Sequence, residues 1–346
     1  MSFTPSQLLP GIENGLNQVG FLFGAGTSKE AGYPLMEDLT KSVVSGLSRN
    51  SRAILDKILK EKSCPYDKGS GEPNIEVLCD LVAEYASIHR CMYMDLEGEI
   101  RGQIVKKIMS VASPNLDHHV RFLRALKIRS SGYAPVVTIF TTNYDILFEL
   151  AACEVAGIRM ETGFEGPIKR WFNPEVFDLG RGLERQGRFT RRRELHVNLI
   201  KLHGSVSWLK DNGRVIESGL DLSGKMSERV MVMPRREKVM DTVADPFDQL
   251  FTRAARILGS RCKYIVTCGF SFRDKHINDQ LIFPKLQDRS IRMIAMCKEE
   301  SENLRELKEF PSFQAGFPKS CFVGGSITEE SGNLWKFSNL VKFLEP

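Results

Sequence analysis

Seven short apolar runs decide what this chain can fold into. They are VGFLF (19–23), VVTIF (136–140), NLIKL (198–202), RVMVM (229–233), KYIVTCG (263–269), RMIAM (292–296) and CFVGG (321–325). Each is continuously apolar or nearly so, the pattern of strands covered on both faces rather than one. Helical patterns separate the later runs. This alternation predicts an α/β fold: a Rossmann-like parallel sheet with helices on both faces and right-handed crossovers.

A large helical insertion follows the first strand, over residues 41–132. Within it Ile54, Leu55, Ile58 and Leu59 share one face, and Ile100, Ile104, Ile108 and Val111 share another. Asn74, directly after Pro73, is placed to cap a helix carrying Leu78, Leu81, Val82 and Tyr85. Asp245-Pro246 reads as a cap and first-turn pair for a helix that buries Phe247, Leu250, Phe251, Ala254 and Leu258. The expected organisation is one domain over residues 1–346. Its Rossmann-like core occupies 15–40 and 133–346, and a second, looser, Arg-rich insertion loop interrupts that core at 160–195. A chain of 346 residues is long enough for such a core.

Several classes are set aside by what is missing. No apolar stretch approaches the length that crosses a bilayer, and the richest, Ile146 to Ile158, is broken by Glu149 and Glu154. The opening MSFTPSQLLPGIENG lacks a basic region followed by an apolar one, so a cytoplasmic location is expected. The eight cysteines form no CxxC pair, which leaves no expectation of a structural zinc or of any metal. The formal charge of +5 equals the net charge of residues 181–193 alone, RGLERQGRFTRRR. That segment can attract a polyanion such as nucleic acid, but an exposed charged loop is the preferred reading.

In a doubly wound sheet ligands collect outside the carboxyl ends of the strands, and four of the apolar runs end in suggestive motifs. Gly24-Ala25-Gly26-Thr27-Ser28 follows the first, with Gly32 beyond. Small residues there let backbone approach a phosphate, and a following helix can offer its N–H groups. A plain tight turn explains the same letters. Thr141-Thr142-Asn143-Tyr144-Asp145 follows the second, where Asn143 or Asp145 either caps the helix ILFELAA or meets a ligand. His203-Gly204-Ser205 follows the third, with a histidine that is either packed or a proton acceptor near neutral pH. Phe270-Ser271-Phe272-Arg273-Asp274 follows the fifth, which ends on Gly269; Gly269 and Ser271 either contact a phosphate or ribose, or Ser271 caps the following helix. The four motifs fall at one edge of one predicted sheet, and that convergence outweighs any single one.

Taken together, GAGTS, TTNYD, LHG and GFSF resemble, in order and approximate spacing, the GAG, TQN-x-D, HG and G-x-S motifs of the sirtuin family. The TTN-[YF]-D and GFSF-x-D forms are most similar to sirtuin-like domains of bacterial antiphage defence proteins. The resemblance implies a Rossmann-like domain with NAD⁺ as substrate and scission of the nicotinamide–ribose bond. It implies that Gly24, Ala25, Gly26 and Ser28 line the dinucleotide, with Thr142 beside them. Asn143 holds the ribose and positions water, Asp145 faces the nicotinamide amide, and His203 is the base. Gly269 and Ser271 contact the phosphate and adenosine side. Two departures argue against acyl-lysine peptide as co-substrate. Residues 204–261 hold no cysteine, so the four-cysteine zinc module is lacking, and Pro34-Leu35-Met36-Glu37 stands where the deacylases carry Pro-Asp-Phe-Arg.

The expected activity is therefore NAD⁺ hydrolysis to nicotinamide and ADP-ribose by a gated defence effector. By resemblance it forms a homo-oligomer and works with a partner such as a HerA-like ATPase. The alternatives are a regulatory subunit that binds NAD⁺ or ADP-ribose without turnover, a nucleic-acid-acting component using Arg181 to Arg193, and, less favoured, a deacylase or ADP-ribosyltransferase.

Overall fold

The first apolar run forms β1 (Val19–Phe23), buried along its whole length. Among the described residues five α-helices follow: α1 (Met36–Gly46), α2 (Arg49–Glu61), α3 (Ile75–Ile88), α4 (Arg90–Met109) and α5 (Asp117–Arg129). Next come β2 (Val136–Thr141), α6 (Leu147–Cys153), β3 (Ile158–Glu161), β4 (Phe164–Glu165), β5 (Arg170–Phe172), β6 (Gly182–Arg185) and β7 (Arg188–Arg191). They are followed by β8 (Leu195–Lys201), β9 (Gly204–Asp211), β10 (Arg214–Glu217), β11 (Arg229–Met231), α7 (Phe247–Ile257) and β12 (Tyr264–Cys268). The last third runs α8 (Lys275–Ile277), α9 (Phe283–Gln287), β13 (Arg292–Met296), α10 (Glu302–Leu307), β14 (Phe313–Gly316), β15 (Ser320–Val323), β16 (Ser326–Glu329) and α11 (Phe337–Leu344). This computed structural model describes residue 16 and residues 18–88, 90–130, 135–180, 182–218, 228–234, 245–318, 320–323, 326–329 and 334–346.

Among the described residues the main sheet has nine strands, in the order β16-β15-β14-β13-β12-β1-β2-β8-β3. From β14 across to β3 every pairing is parallel, while β15 and β16 are antiparallel. Alternate residues of each strand enter different cores, as a period of two requires. Leu22, Phe140, Ile200, Ile265 and Met293 join one, packed by α7 and α10. Phe21, Phe23, Ile139, Leu199, Val266 and Ile294 join the other, packed by α5, α6 and α11. Both faces are covered, which is why these strands read as unbroken apolar runs. The fold is α/β, with the parallel Rossmann-like sheet that the alternation predicted.

Two of the seven runs lie elsewhere than expected. RVMVM supplies β11, in a separate antiparallel sheet ordered β11-β9-β10-β5-β4. It is apolar because Met231 and Met233 face the helical cluster while Val232 faces the core under the main sheet. CFVGG supplies β15, an antiparallel strand near the edge, and its two glycines lie outside the described residues. The Arg-rich stretch is more ordered than a loose loop. β3 pairs parallel with β8, β4 and β5 enter the second sheet, and β6 with β7 forms a hairpin. Both faces of that hairpin are exposed, so no apolar alternation marks it.

The helical stretch after β1 divides in two. Val43, Leu55, Ile58, Leu78, Ile100 and Ile104 of α1–α4 build their own cluster, which also takes in Ile146, Val206, Met231 and Met233. In α5, Phe122, Leu123 and Leu126 instead pack onto the main sheet. Asn74 caps α3 as expected, its Oδ1 accepting from Glu76 N at 3.1 Å and Val77 N at 3.3 Å. Asp245 does not cap α7; its carboxylate accepts from the Gln249 side-chain amide. Val111 lies beyond the end of α4.

Candidate functional site

β12, β1, β2 and β8 are consecutive in the sheet and all parallel. The four motifs therefore leave neighbouring strands on one edge. Strand order reverses between β1 and β12, the position where open α/β sheets form a ligand crevice.

At that reversal two loops touch backbone to backbone. Gly24 N donates to Cys268 O at 3.2 Å, and Gly26 N to Gly269 O at 3.0 Å. A Cβ on Gly24 would stand 2.6 Å from Gly269 O, and one on Gly26 2.6 Å from Gly269 Cα. Gly269 has φ +66°, and its Cβ would stand 2.5 Å from Thr27 N. Glycine is required at all three positions by this contact alone. Thr27 N and Ser28 N also turn inward, to Gly24 O and Ala25 O. Two single 3₁₀ turns occupy the place of the helix that was expected to offer its N–H groups to a phosphate. The backbone donors of residues 24 and 26–28 are thus engaged within the protein, while Ala25 faces outward.

The second motif resolves its own ambiguity. Asp145 Oδ1 accepts from Leu147 N at 3.1 Å and so caps α6, while its Oδ2 accepts from Ser28 Oγ at 2.7 Å. Asn143 does not cap. Its Nδ2 reaches across to the Gly-rich turn, donating to Gly24 O (3.1 Å), Thr27 Oγ1 (3.2 Å) and Ser28 Oγ (2.9 Å). None of these bonds uses the amide oxygen. Thr142, half-buried, donates its N–H to Phe23 O at 3.1 Å. The motif is also anchored from below. Phe148, the second residue of α6, stacks on Phe23 with centroids 5.4 Å apart, and Phe122 and Phe337 meet Phe23 edge-on at 5.3 and 5.5 Å. Such pairs contribute about 0.5–1.5 kcal/mol each beyond area burial.

Sequence reasoning gave Lys201 no part, yet it lies beneath this motif. Its side chain is 1% exposed, and Nζ donates to Glu149 Oε1 at 2.8 Å and to the Asp145 carbonyl. Burial pushes the Glu149 carboxyl above its ordinary value, opposed by the Lys201 ammonium. Burial likewise raises the Tyr33 phenol, with Asp145 and Glu149 adding to the effect.

His203 is buried at 4% exposure. Leu202 N donates to Thr141 O, and Val206 N to Tyr144 O, both at 2.9 Å, tying the β8 end to the β2 end. The Tyr144 ring, next along the chain from Asn143, lies 6.3 Å from the His203 ring. Gly204 has φ +83°, and a Cβ there would stand 2.4 Å from Val230 O, so the glycine of the HG pair is fixed by backbone contact. On its far side His203 Nε2 lies 3.0 Å from Asp274 Oδ2. Ser271 is exposed on the outer face, and α8 begins without a side-chain cap. The signal for Asp274 was the closing letter of GFSFRD; only the fold shows which residue it faces. Contacts thus run from the Gly-rich turn to Asn143, from Tyr144 to His203, from His203 to Asp274, and from Gly269 back to the turn.

Among the described residues no group of three or more His, Cys, Asp or Glu side chains is placed to hold a metal ion. No helix there is long and apolar enough to cross a membrane. Burial pushes the Cys262 thiol up to about 11 and that of Cys297 up to about 12, which makes them packing groups rather than nucleophiles.

A family model described as SIR2-like domain matches residues 137–310, half of the chain. This chain belongs to the SIR2-like domain family. The matched SIR2-like segment contains Asn143, Asp145, His203, Gly269, Ser271 and Asp274, whereas the Gly-rich turn precedes it. No curated protein matches the chain. Membership supports an NAD⁺-utilising enzyme of the sirtuin-like superfamily.

Proposed function

We propose that this SIR2-like chain is an NAD⁺ glycohydrolase that converts NAD⁺ and water to nicotinamide, ADP-ribose and a proton. The observation that carries the reading is the placement of Asn143 and His203 at the ends of adjacent parallel strands, beside the β1/β12 reversal. The residues suit a dinucleotide. Exposed Ala25 and Ser271 flank the Gly24–Gly269 contact, where small residues let a pyrophosphate approach. Asp145, fixed by Ser28 and by α6, is held ready to meet a nicotinamide amide. Asn143, whose Nδ2 is anchored to the Gly-rich turn, has its amide oxygen to orient the ribose or the attacking water. His203 accepts the proton that water loses as it bonds to C1′ and nicotinamide departs. A base in that position contributes roughly 10²–10⁴-fold, and binding of the remote pyrophosphate helps hold the sugar in its reacting geometry.

The test is to mix the purified chain with NAD⁺ and identify products by chromatography. Free nicotinamide with ADP-ribose supports hydrolysis; acetyl- or protein-linked ADP-ribose moves the chain to a transferase or deacylase. His203→Ala and Asn143→Ala each remove most turnover, and wild-type rates in both folded variants would overturn the assignment.

The motif forms TTNYD and GFSFRD further support a role as a cytoplasmic antiphage effector that depletes NAD⁺. Such an activity must be gated, and we place the gate in self-assembly or in a partner protein such as a HerA-like ATPase. Five of the eight large hydrophobic side chains exposed among the described residues fall between 168 and 189, namely Ile168, Trp171, Leu179, Leu183 and Phe189. Exposed apolar side chains of this kind can serve in association where they adjoin, which is the support for the homo-oligomer.

A further inference from the structure

The fourth motif ends in a turn whose conformation few residues adopt. Phe272 sits at φ 57°, in the left-handed region, although it is a bulky and fully buried residue. That backbone costs on the order of 1–2 kcal/mol for a residue with a Cβ. Its carbonyl accepts from Asn278 Nδ2 and Asn303 Nδ2, each at 2.8 Å. Asn278 is 1% exposed and opens a π turn, Asn278–Ile282; π turns within helices are frequent at functional sites. Ser301 Oγ adds a bond to Ser271 O at 3.3 Å. Three side chains from beyond the motif therefore fix the path of residues 271–274. Strain of this kind persists only where its surroundings over-determine it.

What the turn delivers is Asp274. Its side chain is 10% exposed and that of His203 5%, and Oδ2 lies 3.0 Å from Nε2. Nε2 and Oδ2 are within ion-pair distance, although the ring N–H is not aligned on Oδ2 as a hydrogen bond, and an ionised carboxylate this close favours a proton on the nearer ring nitrogen, Nε2. A neutral imidazole protonated there keeps its lone pair on Nδ1. Little solvent reaches either group, so the carboxylate acts strongly on the charge of the ring.

We propose that Asp274 is a positioning residue for His203: it fixes the Nε2–H tautomer, orients the ring, and stabilises the imidazolium formed when Nδ1 takes a proton. The proposal rests on the reading of His203 as the base. In the reaction the water oxygen bonds to C1′, nicotinamide leaves with the electron pair of the broken bond, and the proton released by water passes to Nδ1. The imidazolium then returns that proton to solvent. Without the carboxylate the same step forms a cation in a buried site that has lost the negative charge 3.0 Å from Nε2.

The competing account is an ion pair that only holds two loops together, and the experiment separates the two. In the full chain, Asp274→Asn lowers kcat for nicotinamide release on the order of 10²-fold with KM held within about twofold, and Asp274→Glu, which restores the charge, recovers part of the rate. In a His203→Ala background Asp274→Asn has no further effect. A second readout needs no turnover. ¹⁵N spectra of histidine-labelled protein, with His203 assigned through His203→Gln, show the Nε2–H tautomer in the wild type and its loss in Asp274→Asn. An unchanged tautomer, or equal losses from Asp274→Asn with and without His203, overturns the positioning role. If the wild type releases no nicotinamide, the hydrolase reading fails while the tautomer measurement still decides whether Asp274 sets the protonation of His203.

Discussion

Replacing Lys201 with methionine removes a buried cation from beneath the second motif while keeping most of its volume. Lys201 Nζ holds both Glu149 Oε1, at 2.8 Å, and the Asp145 carbonyl. Breaking a buried pair by removing one partner costs about 3–5 kcal/mol, because the other charge is left without compensation. The Glu149 side chain keeps 20% exposure, so water relieves part of that cost, and the lower end, about 3 kcal/mol, is expected. Unfolding entropy of about 2.1 cal/mol/K per residue over 346 residues turns this into a Tm drop of about 4 °C for a cooperative transition. Scanning calorimetry measures it. The sign with pH is also set. The folded-state pKa of Glu149 is already raised and rises further without Lys201, so the penalty is complete above that pKa. It shrinks as pH falls through it and the carboxyl becomes neutral. The deficit is therefore larger at pH 8 than at pH 5, and Lys201→Met with Glu149→Gln recovers much of it. A Tm within 1 °C of wild type at pH 8, or a loss that ignores both pH and the second substitution, would falsify this account of the pair.

Gly269→Ala forces a Cβ into the left-handed region and within 2.5 Å of Thr27 N. It lowers stability, as read from urea unfolding, by several kcal/mol, whereas Gly213→Ala, whose Cβ meets nothing within 4 Å, costs only about 1–2 kcal/mol. His119 is 1% exposed, neither ring nitrogen has a hydrogen-bond partner, and burial lowers its pKa to about 4. The unfolded chain thus binds the extra proton between about pH 4 and 6.5, and stability falls as pH drops through that window. His119→Phe removes that dependence, gaining roughly 2 kcal/mol relative to wild type at pH 5 over its effect at pH 7.5, as read by urea denaturation. Phe189→Glu, on an exposed strand with 59% of its surface open, lowers the self-associated fraction in sedimentation velocity without changing Tm.

The sheet is legible because its strands are covered on both faces, which writes unbroken apolar runs into the sequence. The same signal misleads at RVMVM: burial against two different clusters looks like membership in a parallel sheet, and the letters do not say which sheet. The hairpin Gly182–Arg185 with Arg188–Arg191 is hidden for the opposite reason, since neither face is buried. At the site, the four motifs stand out because each lies just past the carboxyl end of an apolar run. Their division of labour does not. Asp145 rather than Asn143 caps the helix, the glycines are required by contact with each other, and Lys201 and Asp274 matter through partners 52 and 71 residues away.

The placement of β1 has a consequence for anyone trimming this protein. β1 lies between β2 and β12 and pairs with both, yet it stands more than a hundred residues ahead of the family-matched segment 137–310. A fragment cut to those boundaries has a missing plank in the middle of its floor. The sheet edges facing the gap would be bare, and bare parallel edges invite pairing with other chains. Expression of the matched segment alone is therefore a route to aggregates, and the smallest useful piece must begin upstream of Val19.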